Sequence, residues 1–353
     1  MASDVLVIGG GPAGLSAAIA ARCKGFSVTL IDAACPPIDK ACGECVLPAG
    51  VEALRRIGVG IAGLPVRGIR FVDQGTRVEA TFPGGAGIAV RRTCLHKMLT
   101  DRASELGVRL RWGTRLDTLE AESYGWLIGA DGQNSRVRRE AGLDAGSYES
   151  SRYGFRRHYR VRPWTECVEV HWGSRCQIYV TPAGCDEIGI ALLTRQRHLR
   201  IDAALAEFPE LHRRLRRREV SSADRGAATV SRRLRSVYSG RTVLVGDASG
   251  SVDAITGDGL SLAFRQSCAL AESLVSGRLH EYEAEHGRMA RHAARFATLL
   301  LTMDRQPVLR WCAIKTLSWQ PGLFARLLAS HLDGSAAPPT ARSWQAEAPA
   351  PLQ

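Results

Sequence analysis

Asp4-Val5-Leu6-Val7-Ile8 runs directly into Gly9-Gly10-Gly11-Pro12-Ala13-Gly14, and this stretch decides the fold. The first five residues are short, apolar and β-branched, the pattern of a buried parallel strand. The glycines fit G-x-G-x-x-G. Residues 15–24 are alanine-rich and predict a helix that Gly25 stops. Residues 26–31 form a second strand, closed by Asp32. Strand, glycine turn, helix, strand and acid in that order make the dinucleotide fingerprint. Gly9 permits the tight turn. Gly11 lets the backbone approach a pyrophosphate, and Gly14 lets helix and strand pack closely. The helix start, entered through Pro12 and Ala13, offers free N–H groups and about half a positive charge to the phosphates. Asp32 can accept hydrogen bonds from a ribose. The motif alone does not separate FAD from NAD.

The chain has 353 residues, enough for two domains or for one domain with a large insertion. An apolar share of 45% describes a globular protein, not a fibrous or disordered one. The formal net charge of +12 makes nucleic acid the first partner to test. Lysine occurs only at positions 24, 40, 97 and 315, and the arginines are scattered. Local clusters at 213–218 and 231–235 read as solvated helix faces. With no zinc finger, basic zipper or RNA-binding signature, no nucleic-acid partner is expected. The 10 cysteines show no regular framework, and no leader-like segment precedes the first strand. Free thiols in a cytoplasmic chain are therefore expected. No apolar run reaches membrane-spanning length.

Cys42 and Cys45 form C-x-x-C. A redox dithiol, half of a zinc site, and two unpaired thiols beside a cofactor loop all fit the spacing. No second ligand pair has metal-site spacing, so no metal is expected. A second G-x-G-x-x-G, which disulfide reductases carry, is also missing, which favours unpaired thiols. Further along, residues 48–57 and 91–106 predict helices, and residues 68–90 predict antiparallel strands turning at Pro83-Gly84-Gly85. Strands are expected at 108–112, 113–119 and 126–132. Residues 153–194 suggest an antiparallel sheet of three or four strands. Residues 201–218 read as one basic helix, 241–247 as a buried strand, and 260–276 as a helix. Two helical stretches, 281–303 and 307–332, are broken near Gln306-Pro307 and Gln320-Pro321.

Three buried strands thus end in glycine turns: at Gly9, at Gly129-Ala130-Asp131-Gly132, and at Gly246-Asp247. In an open α/β sheet ligands collect at the carboxyl ends of strands, so three such turns could grip one long ligand. Here the sequence resembles FAD-dependent oxidoreductases of the para-hydroxybenzoate hydroxylase fold, a group that includes the geranylgeranyl reductases. The resemblance is carried by Gly9 to Gly14, by residues 129–138, and by residues 246–250 with Gly257-Asp258-Gly259. Arg92-Thr93-Cys94-Leu95 adds support as the Arg-x-x-Leu before a helix.

The resemblance implies an α/β fold. Residues 1–66, 91–150 and 230–280 would form a discontinuous Rossmann-like FAD-binding domain. Residues 67–90 and 151–229 would form an inserted substrate domain with an antiparallel sheet. C-terminal helices at 281–333 and a disordered tail at 334–353 would complete it. FAD is the implied cofactor and NAD(P)H its transient reductant. Asp32 would bind the adenosine ribose, Arg92 would lie near the diphosphate, and Asp131 and Gly132 would support it. Asp247 would bind the ribityl chain, with Gly246 in its turn. The helix after Gly257 and Gly259 would point its N-terminus at the flavin. Cys42 and Gly43 belong to a loop, Cys42-Gly43-Glu44, that resembles geranylgeranyl reductases. Ser249-Gly250-Ser251-Val252 stands where aromatic hydroxylases carry His-Pro, and the Trp-x-Trp-x-Ile-Pro stretch of flavin halogenases is missing.

The expected activity is an NAD(P)H- and oxygen-dependent monooxygenase that hydroxylates a phenolic or polyketide-type ring in secondary metabolism. Arg156, His158, Tyr159, His171 and Tyr179 lie on the predicted sheet, and Tyr179 and His158 are the candidate catalytic residues. His158 and Tyr159 are adjacent, so only one of them can face the substrate. The alternative is an FAD-dependent reductase of isoprenoid double bonds, with Cys42 or Glu44 as proton donor. A third reading is a flavin-binding redox protein using a Cys42–Cys45 dithiol. The substrate is expected to be aromatic or lipid-tailed, and the chain a monomer or homodimer. Arginine mixed with large apolar residues at 309–317 and 323–328 suits peripheral membrane contact, or packing onto the rest of the protein.

Overall fold

The computed structural model describes residues 3–116, 118–119 and 122–333. The expected disordered tail lies outside the described residues. Two large sheets organise the chain. The first has six strands, in the order Tyr238–Ser239, Thr242–Leu244, Tyr124–Gly129, Ser3–Ile8, Val28–Ile31, Arg109–Arg111. All its neighbours are parallel except the Tyr238–Ser239 pair. Helices Pro12–Cys23, Arg92–Glu105 and Gly259–Ser276 supply one apolar layer against it, with Leu15, Ile19, Leu99 and Phe264 fully buried. Close approach requires glycine: a Cβ on Gly14 would lie 1.8 Å from the Gly9 carbonyl oxygen. Ser16 and Ser267 tie the first and last of these helices at 2.8 Å.

The second sheet has seven strands: Arg225–Leu234, Gly146–Arg160, Glu187–Thr194, Cys176–Gly184, Cys167–Trp172, Gly68–Asp73, Thr76–Thr81. Only the Cys167–Trp172 and Gly68–Asp73 pair is parallel. One face packs on helices Ile201–Leu205 and Pro209–Leu215 through Ile178, Ile188 and Leu205. Part of the other packs on helices Leu279–Arg305, Pro307–Trp319 and Pro321–Asp333 through Phe71, Trp172, Ile314 and Phe324. The helix breaks expected at Pro307 and Pro321 are present, because each proline opens a new helix where its missing N–H is harmless. No helix of the described residues is long and apolar enough to cross a membrane.

The sheet is larger than the three or four strands expected, for two reasons. The hairpin of residues 68–81 joins it, turning at Gln74 and Gly75, whose φ values of 45° and 80° suit a tight two-residue turn. The turn expected at residues 83–85 is only the exit from that hairpin. Second, residues 231–235 do not form the solvated helix face that their arginines suggest. Ser231 to Leu234 lie in an edge strand, and Arg232 pairs with Asp144. Edge strands carry charge readily, so composition hid this one. The strand expected at 113–119 does not form among the described residues there. Gly113 takes a left-handed φ of 64°, and the Thr114 N–H donates to the Asp32 carbonyl. The single helix expected at 201–218 is two, broken where Pro209 starts the second. The division into an FAD-binding unit and a substrate unit is retained as a proposal. Strands Gly146–Arg160 and Arg225–Leu234 cross from one to the other.

Candidate active site

Strand register brings the three glycine turns together. Ile8 lies beside Ile31 and Gly129, and Leu244 beside Gly129. Gly9, Asp32, Asp131 and Asp247 therefore leave the sheet along one carboxyl edge. A cavity of about 1370 Å³ opens there. Gly9, Gly11, Pro12, Ala13 and Asp32 line it, as do Cys42, Gly43, Arg92, Asp131 and Gly132. Gly246, Asp247, Gly257 and Gly259 complete the expected set, and only Gly14 stands behind the wall, in the helix–strand contact.

The sequence shapes each part of this wall locally. Asp32 accepts the Gly10 N–H at 2.6 Å and the Ala34 N–H at 2.7 Å, which fixes its carboxylate at the lip of the fingerprint turn. Asp131 accepts the Arg136 N–H at 2.6 Å and the Val137 N–H at 3.2 Å, capping helix Arg136–Glu140. Its other oxygen, Oδ1, is buried without a partner, as is Nε of Arg92. Gly11 has extended backbone, and a Cβ there would meet nothing nearer than Arg92 at 4.0 Å. Asp247 presents its carboxylate to the enclosed space. That enclosure raises its pKa from the ordinary carboxylate value, against the opposing pull of Arg92 and Lys40.

These features fit FAD. An open cradle over Gly11, the uncapped N-terminus of helix Pro12–Cys23 and an arginine with an unused donor suit a diphosphate. Polar atoms such as Asp131 Oδ1 remain open to a ligand. Asp32 is the residue that would hold the ribose, Arg92 and the Gly11 backbone the diphosphate, and Asp247 the chain leading to the flavin.

Beyond the glycine turns the cavity becomes apolar. Its walls there are Phe71, Val168, Val170 and Trp172 from the sheet, and Phe296, Leu300 and Leu301 from helix Leu279–Arg305. Tyr179 also faces it. Its hydroxyl donates to the Ile255 carbonyl at 2.8 Å, and burial pushes its pKa up, so it remains a neutral phenol. His158 is placed differently. It does not line the cavity but is fully buried behind Glu44, with Nε2 at 2.5 Å from Glu44 Oε2. Arg156 can only donate, and its guanidinium lies 3.0 Å from His158 Nδ1. Nδ1 is therefore the acceptor, and Nε2–H donates to Glu44. Tyr159 points to the opposite face of the sheet, into the core beneath helix Ile201–Leu205. His171 pairs with Glu169 at 3.1 Å, also away from the cavity wall.

Cys42 and Cys45 are free thiols. Cys45 sits in a short buried strand among apolar residues, and burial pushes its thiol up to about 12. Cys42 lines the cavity and receives the Glu44 N–H at 3.3 Å. Burial raises its pKa too, outweighing the nearby Arg92.

Several residues that shape the site carry no motif of their own. His96 Nε2 donates to the Gly10 carbonyl at 2.8 Å, and a Cβ on Gly10 would lie 2.1 Å from the Trp112 ring. Gln266 accepts the Gly246 N–H at 2.8 Å. Gln266 follows Gly259 by seven residues, a helical spacing that places it on the cavity-facing side, whereas His96, four residues after Arg92, is buried behind the Gly10 turn. Trp112 had no comparable signal. Asp258, in the third glycine turn, lines the cavity 3.7 Å from His331 of the last helix.

Residues 2–183 match the FAD binding domain family, and the chain belongs to it. It is an FAD-dependent oxidoreductase. It is 29% identical to menaquinone reductase of Mycolicibacterium smegmatis, over 86% of this chain and 85% of that protein. Digeranylgeranylglycerophospholipid reductase 1 of Methanothermobacter thermautotrophicus is 28% identical, over 79% and 81%. The 6-methylpretetramide 4-monooxygenase of Streptomyces rimosus is 31% identical, but over 40% of this chain and 30% of that one. Among solved structures, flavin-dependent brominase Bmp2 has the same fold, with a TM-score of 0.78, 21% identity and 94% coverage of both chains.

Proposed function

We propose that this protein is an FAD-dependent reductase of carbon–carbon double bonds in an isoprenoid or similarly lipid-tailed substrate. The observation that carries the reading is the apolar half of the cavity. It is walled by sheet and C-terminal helix, and Cys42 and Glu44 stand at the polar part of the same space. Similarity to two reductases along most of the chain supports it. This order differs from the one the motifs suggested, in which ring hydroxylation came first.

Bound FAD would supply the electron-pair chemistry, with NAD(P)H as reductant. The protein's own groups supply the rest. Asp32, Arg92 and the glycine turns bind and orient the cofactor. The apolar wall holds the hydrocarbon and excludes water. Saturating a double bond also requires a proton. Cys42 remains a protonated thiol because burial raises its pKa, so Sγ carries a proton at neutral pH. Glu44, held by His158 and by the Arg92 N–H at 2.9 Å, fixes the loop that presents that thiol.

Hydroxylation of a phenolic or polyketide-type ring is the second reading. It is favoured by the 31% identity to the Streptomyces rimosus monooxygenase over 40% of this chain. Under it, Tyr179 would orient a phenol by accepting its hydrogen bond, and His158 could act only through Glu44. The deciding experiment offers one reduced holoenzyme preparation a geranylgeranyl lipid and a phenolic polyketide under labelled oxygen. Two added hydrogens per double bond, without label, support the reductase. Labelled oxygen in the phenol supports the second reading instead.

A further inference from the structure

Helix Pro307–Trp319 is apolar on two opposite sides. One side, with Ile314 and Leu317, is buried in the core beside Phe71 and Trp172, and Arg310 on that side pairs with Asp73 at 3.2 Å. The other side carries Val308, Trp311, Cys312 and Trp319. At 100° per residue these four and Lys315 fall within one stripe. Val308 is 74% exposed, Trp311 49% and Trp319 86%. A satisfied core does not explain this second stripe, since nothing in the described residues covers it.

Charge identifies the occupant. Between His286 and Leu332 there are seven Lys and Arg residues and one acid, Asp304. That acid is already engaged by Arg152, Arg195 and Gln177. Of the seven, Arg310 is buried against Asp73 and Arg288 pairs with Glu285, whereas Arg305, Lys315 and Arg326, on the helices around the stripe, meet no carboxylate among the described residues. Tryptophan is the side chain best suited to a membrane–water boundary, and lysine can extend its ammonium to phosphate level while its stem stays apolar. The same helical layer reaches the cavity: Leu300 and Leu301 line it, and the neighbouring Leu299 is exposed.

We infer that the stripe Val308, Trp311, Cys312 and Trp319, with Lys315, Arg305 and Arg326 around it, docks on an anionic lipid bilayer. The inference rests on the lipid-tailed substrate proposed above and assigns the surface from which that substrate is collected. The helices lie on the bilayer and do not cross it.

The test is co-sedimentation of the FAD-loaded full chain with vesicles of phosphatidylcholine alone, or of phosphatidylcholine with about one third phosphatidylglycerol. Binding to the anionic vesicles that weakens with salt is expected. Trp311→Ser with Trp319→Ser should weaken it by roughly tenfold, and Lys315→Gln should make it less salt-sensitive. Trp319→Ser alone, at a site almost wholly in solvent, gives a variant whose folding is not at risk. Retained flavin and unchanged turnover of detergent-dispersed substrate confirm its fold. Failure to bind anionic vesicles at low salt overturns the inference, as does binding that both tryptophan variants leave intact. A wild-type dimer in sedimentation that the double variant converts to monomer would give the stripe to a second copy instead. Vesicle binding that appears only after truncation at Asp333 would give it to residues 334–353. Vesicle binding is measured without turnover, so this inference and the reductase reading can fail separately.

Discussion

Nε2 of His158, a side chain with no exposed surface, donates a 2.5 Å hydrogen bond to Oε2 of Glu44 at the cavity wall. The other Glu44 oxygen accepts the N–H of Arg92 at 2.9 Å. One carboxylate therefore joins the seven-stranded sheet to helix Arg92–Glu105, whose first residue lines the cavity. Glu44 holds this position with a left-handed φ of 57°, at a cost of about 1–2 kcal/mol for a non-glycine residue. Strain of this kind persists where surrounding contacts over-determine it.

Glu44→Gln should expose that dependence. A glutamine can accept only one of the two N–H donors through its single carbonyl oxygen, and its amide then faces the other. Destabilisation of about 1–3 kcal/mol is expected in thermal or urea unfolding. Turnover should fall by roughly 10²-fold while flavin content is kept. Full activity would remove Glu44 from the account.

Gly11 and Gly14 should respond oppositely to alanine. At Gly11 the added carbon meets only the Arg92 guanidinium, at an unstrained 4.0 Å, so the apoprotein should fold with unchanged Tm. The same carbon occupies the space a diphosphate needs, and flavin should be lost. At Gly14 the carbon would collide with the Gly9 carbonyl at 1.8 Å, so the fold itself should suffer. Spectroscopic flavin content and apoprotein melting together separate the two, and a yellow Gly11→Ala protein would contradict the cradle.

Asp258 gives a pH dependence. Burial raises its pKa to about 7, opposed by Arg265, while His331 beside it is pushed down to about 4, mainly by burial and further by Arg265 and His292. The unfolded carboxyl ionises near 4, earlier than the folded one, so the folded state holds the extra proton between those values. Its contribution to stability therefore falls as pH rises from about 4 to about 7. Asp258→Asn should change melting little near pH 4 and raise it by pH 8. A Tm difference that is flat across that range would show that Asp258 ionises normally.

Asp304 anchors the end of helix Leu279–Arg305 to the seven-stranded sheet through Arg152 at 2.7 Å. Arg152 is itself buried and also faces Asp253 at 3.3 Å. Asp304→Ala removes one of the two carboxylates that Arg152 faces, and Asp253 still compensates the guanidinium, so the change should cost about 1–3 kcal/mol. Replacing Arg152 as well removes the guanidinium that Asp253 faces, so the double change should cost more than Asp304→Ala but less than the sum of the two single changes. Chemical denaturation of the three variants measures this, and additive losses would deny the coupling.

The nucleotide-binding half was legible because its physics is local. A tight turn, a close helix and a terminal acid each demand a residue type at a fixed offset, from Gly9 to Asp32. The proline-set helix breaks at Pro307 and Pro321 were legible for the same reason. The edge strand Arg225–Leu234 was not, because its charge belongs to an open edge and its pairing partner, Gly146–Arg160, is distant in sequence. Nor was the position of His158. Alternation fixes which sheet face a residue takes, but Glu44 arrives in front of His158 from a loop 114 residues away. Trp112 shapes the Gly10 turn through a contact that no pattern announces.

The most direct measurement of the central claim is flavin reoxidation without oxygen. The holoenzyme is reduced under nitrogen and mixed with a lipid bearing unsaturated isoprenoid units. Return of the yellow colour in step with saturation of the chain, one double bond per flavin, is the predicted result. A flavin that stays reduced until oxygen is admitted, with the lipid recovered unchanged and a phenol hydroxylated, would contradict it.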